Sequence, residues 1–291
     1  MFEGVLPAII TPFKDDGEVD EDGLRSIVEM LSASGVSGMV PCGTTGESAT
    51  LSFEEHKKVV EIVVDAASVP VVAGTGSNNT KEALELTKHA ANAGADAALL
   101  ITPYYNKPNE RGILEHYGKI AGSCDIPIVL YNIPKRTGLE MRPELIARLA
   151  EIPGIVAVKE ASGSLSQVSR IIELTAGKNF TVLSGDDDLT IPMMSLGAAG
   201  VISVVANVAP RKTIEMVRAF QSGDLQKARK IHYELAPLVR SMFLETNPIP
   251  VKTAYRLMGL PSGPLRLPLA PMSAENEDKL KEVLDKLGEF R

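Results

Sequence analysis

The sequence predicts an α/β fold, a (β/α)8 TIM barrel with a C-terminal helical extension. Eight short runs rich in Val, Ile and Leu alternate with longer segments of helical periodicity. The runs are continuously apolar, which is typical of parallel strands covered on both faces. A helix, a glycine and a strand also follow one another in SGVSGMV, AGADAALL and LGAAGVIS, which indicates a repeated βα unit.

The predicted strands are spaced so that a helix can follow each one. In chain order they are VLPAIITPF from Val5, VSGMVPCG from Val36, VPVVAGTG from Val69, DAALLITP from Asp96, IPIVLYNIP from Ile126, IVAVKEAS from Ile155, FTVLSGDD from Phe180 and GVISVVAN from Gly200. Eight strands is the number found in a (β/α)8 barrel. A doubly wound open sheet is the alternative, but GTGSNN has Asn79 in place of a third glycine, and GTTGES lacks a Gly-Lys-Ser/Thr ending.

The intervening segments are amphipathic and carry helix-start signals. Ser52 with Glu55 fits a capping box, and Thr80 is a candidate N-cap. From about Asp224 the chain is predicted to be wholly helical. We therefore predict a catalytic barrel over residues 1–223 and a helical extension over residues 224–291 that packs on the barrel rather than forming an independent domain.

Composition limits the classes of partner. The chain has 291 residues, of which 44% are hydrophobic and 23% charged, with a formal net charge of −7. This charge argues against nucleic acid or an anionic membrane as the main partner. Cys42 and Cys124 make neither a disulfide framework nor a metal motif. Because MFEGVLPAIITPF lacks a basic n-region and no apolar run reaches about 18 residues, we expect a cytoplasmic protein.

Polar side chains gather where the predicted strands end, which is where barrel enzymes place their active sites. These ends carry Thr11, Thr44, Thr45, Thr75, Tyr104, Tyr105, Tyr131, Asn132, Lys159, Glu160, Asp186 and Ser203. They form a ring of hydroxyls around one amine. The histidines fall on predicted helices without paired ligand spacing, so no metal site is predicted. They are His56, His89, His116 and His232.

Lys159 is the candidate nucleophile of this ring. Lysine is rarely fully buried, and burial disfavours its charged form and lowers its pKa. A free amine can condense with a ketone to give a Schiff base. The alternative is a structural lysine that pairs with Glu160 or another carboxylate. Tyr131, which ends the preceding strand, would lie beside Lys159, and Thr44 and Tyr105 offer further hydroxyls for proton transfer.

Two loop features suit anionic substrates. Gly43 and Gly46 of GTTGES let the backbone approach a ligand, and consecutive N–H groups there would bind the carboxylate of a 2-oxo acid. Arg136 in YNIPKRTG could bind a second carboxylate through two hydrogen bonds, although a single loop arginine can equally be solvent-exposed.

Seven motifs in order resemble those of a known family. They are GTTGESATL, TPYYNKP, YNIPKRTG, VKEASG, LSGDDDLT, GVISVVANV and ETNPIPVKTA. The chain resembles the dihydrodipicolinate synthase family, now named 4-hydroxy-tetrahydrodipicolinate synthase, of the pyruvate-dependent class I aldolase (N-acetylneuraminate lyase) superfamily. The resemblance extends from ITPF near the start to LRLPLAPMS near the end.

The resemblance implies a reaction and roles for individual residues. Pyruvate would form a Schiff base with Lys159, its enamine would attack aspartate-4-semialdehyde, and cyclisation would release the heterocycle on the route to diaminopimelate and lysine. Tyr131 would donate and accept protons, with Thr44 and Tyr105 completing its relay and Tyr105 coming from the neighbouring subunit. The implied substrate-binding residues are Thr45 for the pyruvate carboxylate, Arg136 for the semialdehyde carboxylate, and Gly185 and Ile202 for the pyruvate pocket.

The resemblance also implies an assembly and a regulatory site. The family is usually a homotetramer, a dimer of dimers, and needs no metal or organic cofactor. Members inhibited by lysine bind it at the dimer interface. The corresponding residues here are Ser48, Ala49, His56, Asn78, Glu82 and Tyr104. Phe53 stands where some lysine-sensitive members have histidine, which is a departure from their pattern.

Four other functions compete with this interpretation. N-acetylneuraminate lyase and the 2-keto-3-deoxy sugar acid aldolases would keep Lys159 and Tyr131 but take other aldehydes; Arg136 in KRTG favours the synthase. A pyridoxal-phosphate barrel would need a phosphate site and a group facing the pyridine nitrogen, and the sequence offers no convincing pair. In a non-enzymatic scaffold, Lys159 would serve stability alone. Glu160 is predicted to be structural rather than a catalytic acid.

Overall fold

Seven parallel strands form a curled sheet in the computed structural model, which describes residues 2–287. Their spatial order is β1-β7-β6-β5-β4-β3-β2. The strands are β1 Gly4–Pro7, β2 Val72–Gly74, β3 Ala97–Ile101, β4 Ile128–Asn132, β5 Ile155–Glu160, β6 Thr181–Ser184 and β7 Gly200–Ser203. Each corresponds to one of the predicted apolar runs.

The remaining predicted strand, from Val36, contributes only two bridging residues, and these close the barrel. Val40 forms a parallel bridge with Ala8 on the β1 side, and Met39 forms one with Val71 on the β2 side. The Val40 amide donates to the Pro7 carbonyl over 2.8 Å. Pro41 follows and has no N–H to continue the ladder, which explains why this segment is shorter than predicted. The predicted (β/α)8 TIM barrel is confirmed.

Helices follow the strands and surround the barrel. They are α1 Glu21–Ala33, α2 Phe53–Ala66, α3 Thr80–Ala93, α4 Glu110–Ala121, α5 Pro134–Thr137, α6 Pro143–Leu149, α7 Leu165–Leu174, α8 Thr190–Leu196, α9 Pro210–Gln221, α10 Leu225–Ser241, α11 Ile249–Leu257 and α12 Ala274–Leu287. Short 3-10 turns lie at Ser48–Thr50, Asp187–Leu189 and Val205–Asn207. No helix among residues 2–287 is both long and apolar enough to span a membrane.

One predicted helix start is confirmed and one is wrong. Ser52 and Glu55 form the predicted capping box, with each side chain accepting from the other residue's backbone N–H. At α3 the N-cap is Asn79, whose side chain accepts from the Lys81 N–H. Thr80 already lies in the helix, and its hydroxyl bonds His116 Nδ1 over 2.9 Å. Because the Thr80 hydroxyl is bonded to His116, it does not accept from a backbone N–H at the start of α3.

The C-terminal extension follows Asp224, which caps α10 by accepting from the Lys227 N–H. It is not wholly helical, because 258–273 between α11 and α12 contains several prolines and glycines and forms no helix. Side chains of α10–α12, such as Leu235, Tyr255 and Leu284, share one core with residues of β1 and α1. The boundary between residues 223 and 224 stays a prediction. Residues 288–291 of the predicted extension, and residue 1 of the predicted barrel, lie outside the described residues.

The barrel interior is apolar along most of its length. Side chains from successive strands fill it: Leu6, Ala8, Val40, Val72, Ala97, Leu99, Val129, Tyr131, Ala157, Leu183 and Ile202. This packing is that of a core rather than a channel. Polar chemistry is therefore confined to the carboxyl ends of the strands.

Candidate active site

Lys159 lies near the carboxyl end of β5, and only 6% of it is exposed. The parallel register pairs it with Tyr131 at the same level of β4. The Lys159 ammonium nitrogen, Nζ, lies 4.3 Å from the centre of the Tyr131 ring. Sheet register thus brings together the amine and the phenol that the strand ends predicted.

The surroundings of Lys159 favour its uncharged form. Burial lowers the pKa of Lys159 to about 8, with Arg136 acting in the same direction and Asp187 and Asp186 opposing it. The ordinary lysine pKa of 10.5 would leave almost no free amine at neutral pH. A pKa of about 8 leaves an appreciable free fraction, which nucleophilic attack requires.

Glu160 is not the partner of Lys159, although it is the next residue. Its carboxylate accepts from Asn132 Nδ2 over 2.8 Å, from the Ser162 N–H over 2.7 Å and from Gln167 Nε2 over 3.3 Å. Successive residues of a strand point to opposite faces, so Glu160 faces away from Lys159. This network fits the structural role predicted for Glu160.

Tyr131 is a buried phenol that holds its proton. Burial raises the pKa of Tyr131 to about 12, while the charge of Arg136 and the side chain of Thr44 act in the opposite direction. At neutral pH the Tyr131 hydroxyl is therefore protonated, and the side chain of Thr44 is a neighbouring hydroxyl group.

Asp187 is a buried carboxylate that sequence reasoning missed. It accepts from the Ser203 hydroxyl, from the Val204 N–H over 3.0 Å and from the Val205 N–H over 3.2 Å. It holds the start of the 3-10 turn after β7 and contributes negative charge near Lys159. The run of three aspartates in LSGDDDLT was the only signal, and it could not tell Asp187 from the half-buried Asp186.

Thr45 and Arg136 meet at a residue that was also missed, Asn247. The Thr45 hydroxyl accepts from Asn247 Nδ2 over 3.0 Å, and Arg136 Nη2 donates to the Asn247 carbonyl over 3.0 Å. Thr45 is buried, whereas Arg136 is exposed. Thr44, Arg136 and Asn247 line a cavity of about 420 Å³. Thr44 and Arg136 on this cavity wall are also the two groups that oppose the rise in the Tyr131 pKa.

The predicted pyruvate-pocket residues lie against the lysine or inside the barrel. The Gly185 N–H donates to the Glu160 carbonyl over 2.8 Å. A Cβ atom on Gly185 would lie 2.7 Å from the Cβ of Ala161 and 3.1 Å from Cε of Lys159. Ile202 is buried on β7 and packs in the barrel interior with Tyr131. Only a glycine leaves the Lys159 side chain its present position.

Gly185→Ala is therefore expected to lower kcat/KM for pyruvate by about tenfold to 100-fold, because the added methyl group displaces Lys159 from Tyr131. Steady-state kinetics with pyruvate as the varied substrate measure this effect. Gly118→Ala is the matched control, since its nearest neighbour would be Ile152 Cδ1 at 3.9 Å. Equal kinetics of the two variants would contradict the close contact.

Tyr105 is not brought to Lys159 within one chain. Its side chain is 88% exposed, and its backbone is left-handed with φ of 67°. A hydrogen bond fixes this loop: Asn106 Nδ2 donates to the Asn78 carbonyl over 2.9 Å. Such an exposed tyrosine on an ordered loop is available to a second subunit.

The residues predicted for lysine binding line the same cavity as Thr44 and Arg136, with one exception. Those on its wall are Ser48, Ala49, His56, Glu82 and Tyr104. Asn78 is not among the residues on the wall, but its side chain donates to the Tyr104 carbonyl over 3.1 Å. Phe53 is also on the wall. Burial lowers the pKa of His56 to about 4, so this ring is neutral at physiological pH.

The four histidines lie on helices α2, α3, α4 and α10, as predicted. Two of them, His56 and His116, are buried. Within residues 2–287, no group of three or more His, Cys, Asp or Glu side chains is arranged to hold a metal ion.

Comparison with known proteins assigns the family. The profile of the Dihydrodipicolinate synthetase family matches residues 1–287. The chain belongs to this family. A 4-hydroxy-tetrahydrodipicolinate synthase of Methanothrix thermoacetophila is 75% identical over 290 residues, covering 100% of this chain and 98% of the relative.

Solved structures of the family have the same fold. The dihydrodipicolinate synthase of Aquifex aeolicus superposes with a TM-score of 0.96 at 51% identity, covering 99% of this chain and 98% of that one. The chloride-inhibited synthase of Acinetobacter baumannii, complexed with pyruvate, gives a TM-score of 0.96 at 43% identity and 99% coverage of both chains. The family resemblance is confirmed, and the chain is an enzyme of the lyase class.

Proposed function

We propose that this chain is a 4-hydroxy-tetrahydrodipicolinate synthase that condenses pyruvate with aspartate-4-semialdehyde through a Schiff base on Lys159. The observation that carries the proposal is the buried amine of Lys159, with a pKa of about 8, beside the phenol of Tyr131. The names of the relatives support the reaction, and the pyruvate bound by the Acinetobacter baumannii protein supports the first substrate.

The reaction begins with attack of the neutral Lys159 amine on the ketone carbon of pyruvate. Proton transfers through Tyr131 convert the resulting carbinolamine oxygen into water, which leaves as the imine forms. Loss of a methyl proton gives the enamine, whose carbon bonds the aldehyde carbon of the semialdehyde. The amino group of the semialdehyde then attacks the imine carbon, which closes the ring and releases Lys159 as the free amine.

Two anion-binding elements orient these substrates. Thr45 would donate its hydroxyl hydrogen to the pyruvate carboxylate, since the Thr45 oxygen already accepts from Asn247. Gly185 and Ile202 would line the pocket around the pyruvate methyl group. Arg136, exposed at the cavity that also contains Thr44, would bind the carboxylate of the semialdehyde.

Assembly would complete the proton relay. Tyr105 is exposed in the single chain and would reach the relay of Thr44 and Tyr131 in a neighbouring subunit. The exposure of Tyr105 supports one neighbouring subunit, and the homotetramer, a dimer of dimers, is proposed from the family resemblance. The cytoplasmic location stays a prediction.

Lysine binding is a separate proposal about the cavity. Ser48, Glu82 and Tyr104 offer polar side chains there beside Ala49, and His56 is neutral. Phe53 adds an apolar ring on the wall in place of an imidazole. We expect any inhibition by lysine to be weaker than in members with histidine at this position.

The pH dependence follows from the Lys159 amine. Its folded-state pKa of about 8 means that the amine is protonated and unreactive below that pH. We expect log kcat/KM for pyruvate to rise with a slope of about one as pH increases toward 8, then to level off. Steady-state rates between about pH 6 and pH 10 measure this. A profile that continues to rise toward pH 10 would show an unperturbed lysine.

A competition assay tests the function itself. The purified chain is given pyruvate with aspartate-4-semialdehyde, glyceraldehyde or N-acetylmannosamine as acceptor. The proposal predicts a clear preference for the semialdehyde. Preference for either sugar-type acceptor would instead indicate a sugar acid aldolase or N-acetylneuraminate lyase.

A further inference from the structure

Glu47 and Lys252 form an ion pair that the reaction described above does not use. Lys252 Nζ lies 2.7 Å from Glu47 Oε1, and the side chains are 2% and 0% exposed. Burying a charged pair is costly, and its members are expensive to leave unpaired. Glu47 comes from the GTTGES loop and Lys252 from α11, 205 positions along the chain.

Each member of the pair makes further contacts. The second Glu47 oxygen accepts from the Arg266 N–H over 3.2 Å. Lys252 Nζ also donates to the Pro264 carbonyl over 2.7 Å and lies 4.2 Å from the centre of the Phe13 ring. Such a buried network is typical of a site that holds one geometry, because movement would leave a buried charge without a partner.

The backbone at Glu47 is held in an unusual conformation. Its φ of 52° lies in the left-handed region that non-glycine residues rarely adopt. The Glu47 N–H donates to the Thr44 carbonyl over 3.2 Å, and the Gly46 carbonyl accepts from the Thr11 hydroxyl over 2.7 Å. The position of Glu47 therefore determines the turn that presents Thr44 and Thr45.

The α11 segment contacts the same turn at a second point. Asn247, just before α11, donates to the Thr45 hydroxyl over 3.0 Å. The two contacts, Asn247 with Thr45 and Lys252 with Glu47, bracket Gly46. The GTTGES and ETNPIPVKTA motifs are thus parts of one structural unit in which the C-terminal extension holds the loop of the proton relay.

We infer that Glu47 and Lys252 are positioning residues that set Thr44 for proton transfer with Tyr131 and Thr45 for the pyruvate carboxylate. This inference rests on the proposed function. It makes the C-terminal extension a functional part of the site. The pair acts through the two threonines and touches no reacting atom.

The first test compares Glu47→Gln, Lys252→Met and Glu55→Gln. Glu55 is the control because it pairs with Arg266, whose backbone N–H contacts Glu47. Glutamine at this position preserves the capping box at the start of α2. We expect Glu47→Gln and Lys252→Met each to lower kcat/KM for pyruvate by at least about tenfold, and Glu55→Gln to change it by less than about twofold. Equal losses in all three variants would overturn the inference.

A double-mutant cycle separates positioning from simple loss of folded protein. If Lys252 acts through Thr44, then Lys252→Met should lower kcat by less than about threefold once Thr44→Val is present. A merely structural role predicts the same fold-loss in both backgrounds, and that result would overturn the inference.

The double variant E47Q/K252M removes both charges and so leaves neither unpaired, which favours folding. We expect it to fold by circular dichroism and still to have lowered kcat/KM; full activity would overturn the inference. Should it not fold, Glu47→Gln carries the same comparison.

Borohydride trapping of pyruvate on the wild-type chain distinguishes failure of the positioning role from failure of the proposed function. A trapped adduct in wild type, with equal kcat/KM in wild type and both single variants, would refute the positioning role alone. The absence of any adduct in wild type would overturn the proposed function and this inference together.

Discussion

Lys159→Met is expected to abolish synthase activity and the pyruvate adduct together. Methionine is unbranched and nearly as long as lysine but has no amine to form the Schiff base. We expect kcat to fall by about 10⁴-fold or more, which is the size of loss when a covalent nucleophile is removed. Incubation with pyruvate and borohydride, followed by intact-protein mass spectrometry, should show the reduced adduct in wild type and none in the variant.

Lys178→Met is the matched control. Lys178 pairs with Glu151 on the surface and precedes the amino end of β6, opposite the carboxyl ends that carry Lys159. We expect this variant to keep both the adduct and the activity. An adduct that persists in Lys159→Met, or that maps to another lysine, would place the nucleophile elsewhere.

Lys159→Met should also be more stable than wild type. The Lys159 pKa falls from its ordinary 10.5 to about 8 on folding, which corresponds to about 3 kcal/mol at neutral pH. Below pH 8 the folded state must hold a buried ammonium, and this cost declines as pH rises from 8 toward 10.5. The gain in melting temperature of Lys159→Met should therefore be largest at neutral pH and shrink above pH 8.

Tyr131→Phe is expected to lower kcat by about 10²-fold to 10⁴-fold, the usual contribution of a general acid–base group. Phenylalanine keeps the ring beside Lys159 but removes the hydroxyl that carries protons to and from the carbinolamine. Adduct formation should become slow rather than absent, because the Lys159 amine remains. Time-resolved borohydride trapping and steady-state kinetics measure the two effects.

Tyr117→Phe controls for loss of a buried hydroxyl in general. Tyr117 is fully buried and donates to the Leu100 carbonyl over 3.2 Å. It has no role in the proposed reaction. We expect it to lower the free energy of unfolding by about 1 kcal/mol and to leave kcat unchanged. A comparable fall in kcat in both tyrosine variants would exclude a specific role for Tyr131.

Much of the fold could be predicted because strand signals are local. Seven of the eight apolar runs are strands in the sheet, and the eighth closes the barrel through Met39 and Val40. The errors lie where distant contacts compete with local preference. Thr80 bonds His116 instead of capping its helix, and residues 258–273 interrupt the predicted helical extension.

The candidate site was predictable in part for the same reason. Parallel strands place their carboxyl ends together, so the polar residues after each apolar run had to meet at one rim. Lys159, Tyr131 and Thr45 were found in this way. Asp187 was not, because its importance comes from the amides of Val204 and Val205, which no local pattern brings near it.

The amino-acid sequence alone was thus sufficient to predict the barrel fold, the active site at the carboxyl ends of its strands, Lys159 as the reactive amine, and the protein family. Folding decided the rest: how strongly burial lowers the Lys159 pKa, why Gly185 leaves no room for a Cβ, and how Lys252 reaches Glu47. Periodicity reports which face of an element is apolar, a property of neighbouring residues. Desolvation and ion pairing depend on groups that approach from far along the chain, so they exist only once the barrel and its extension have packed together.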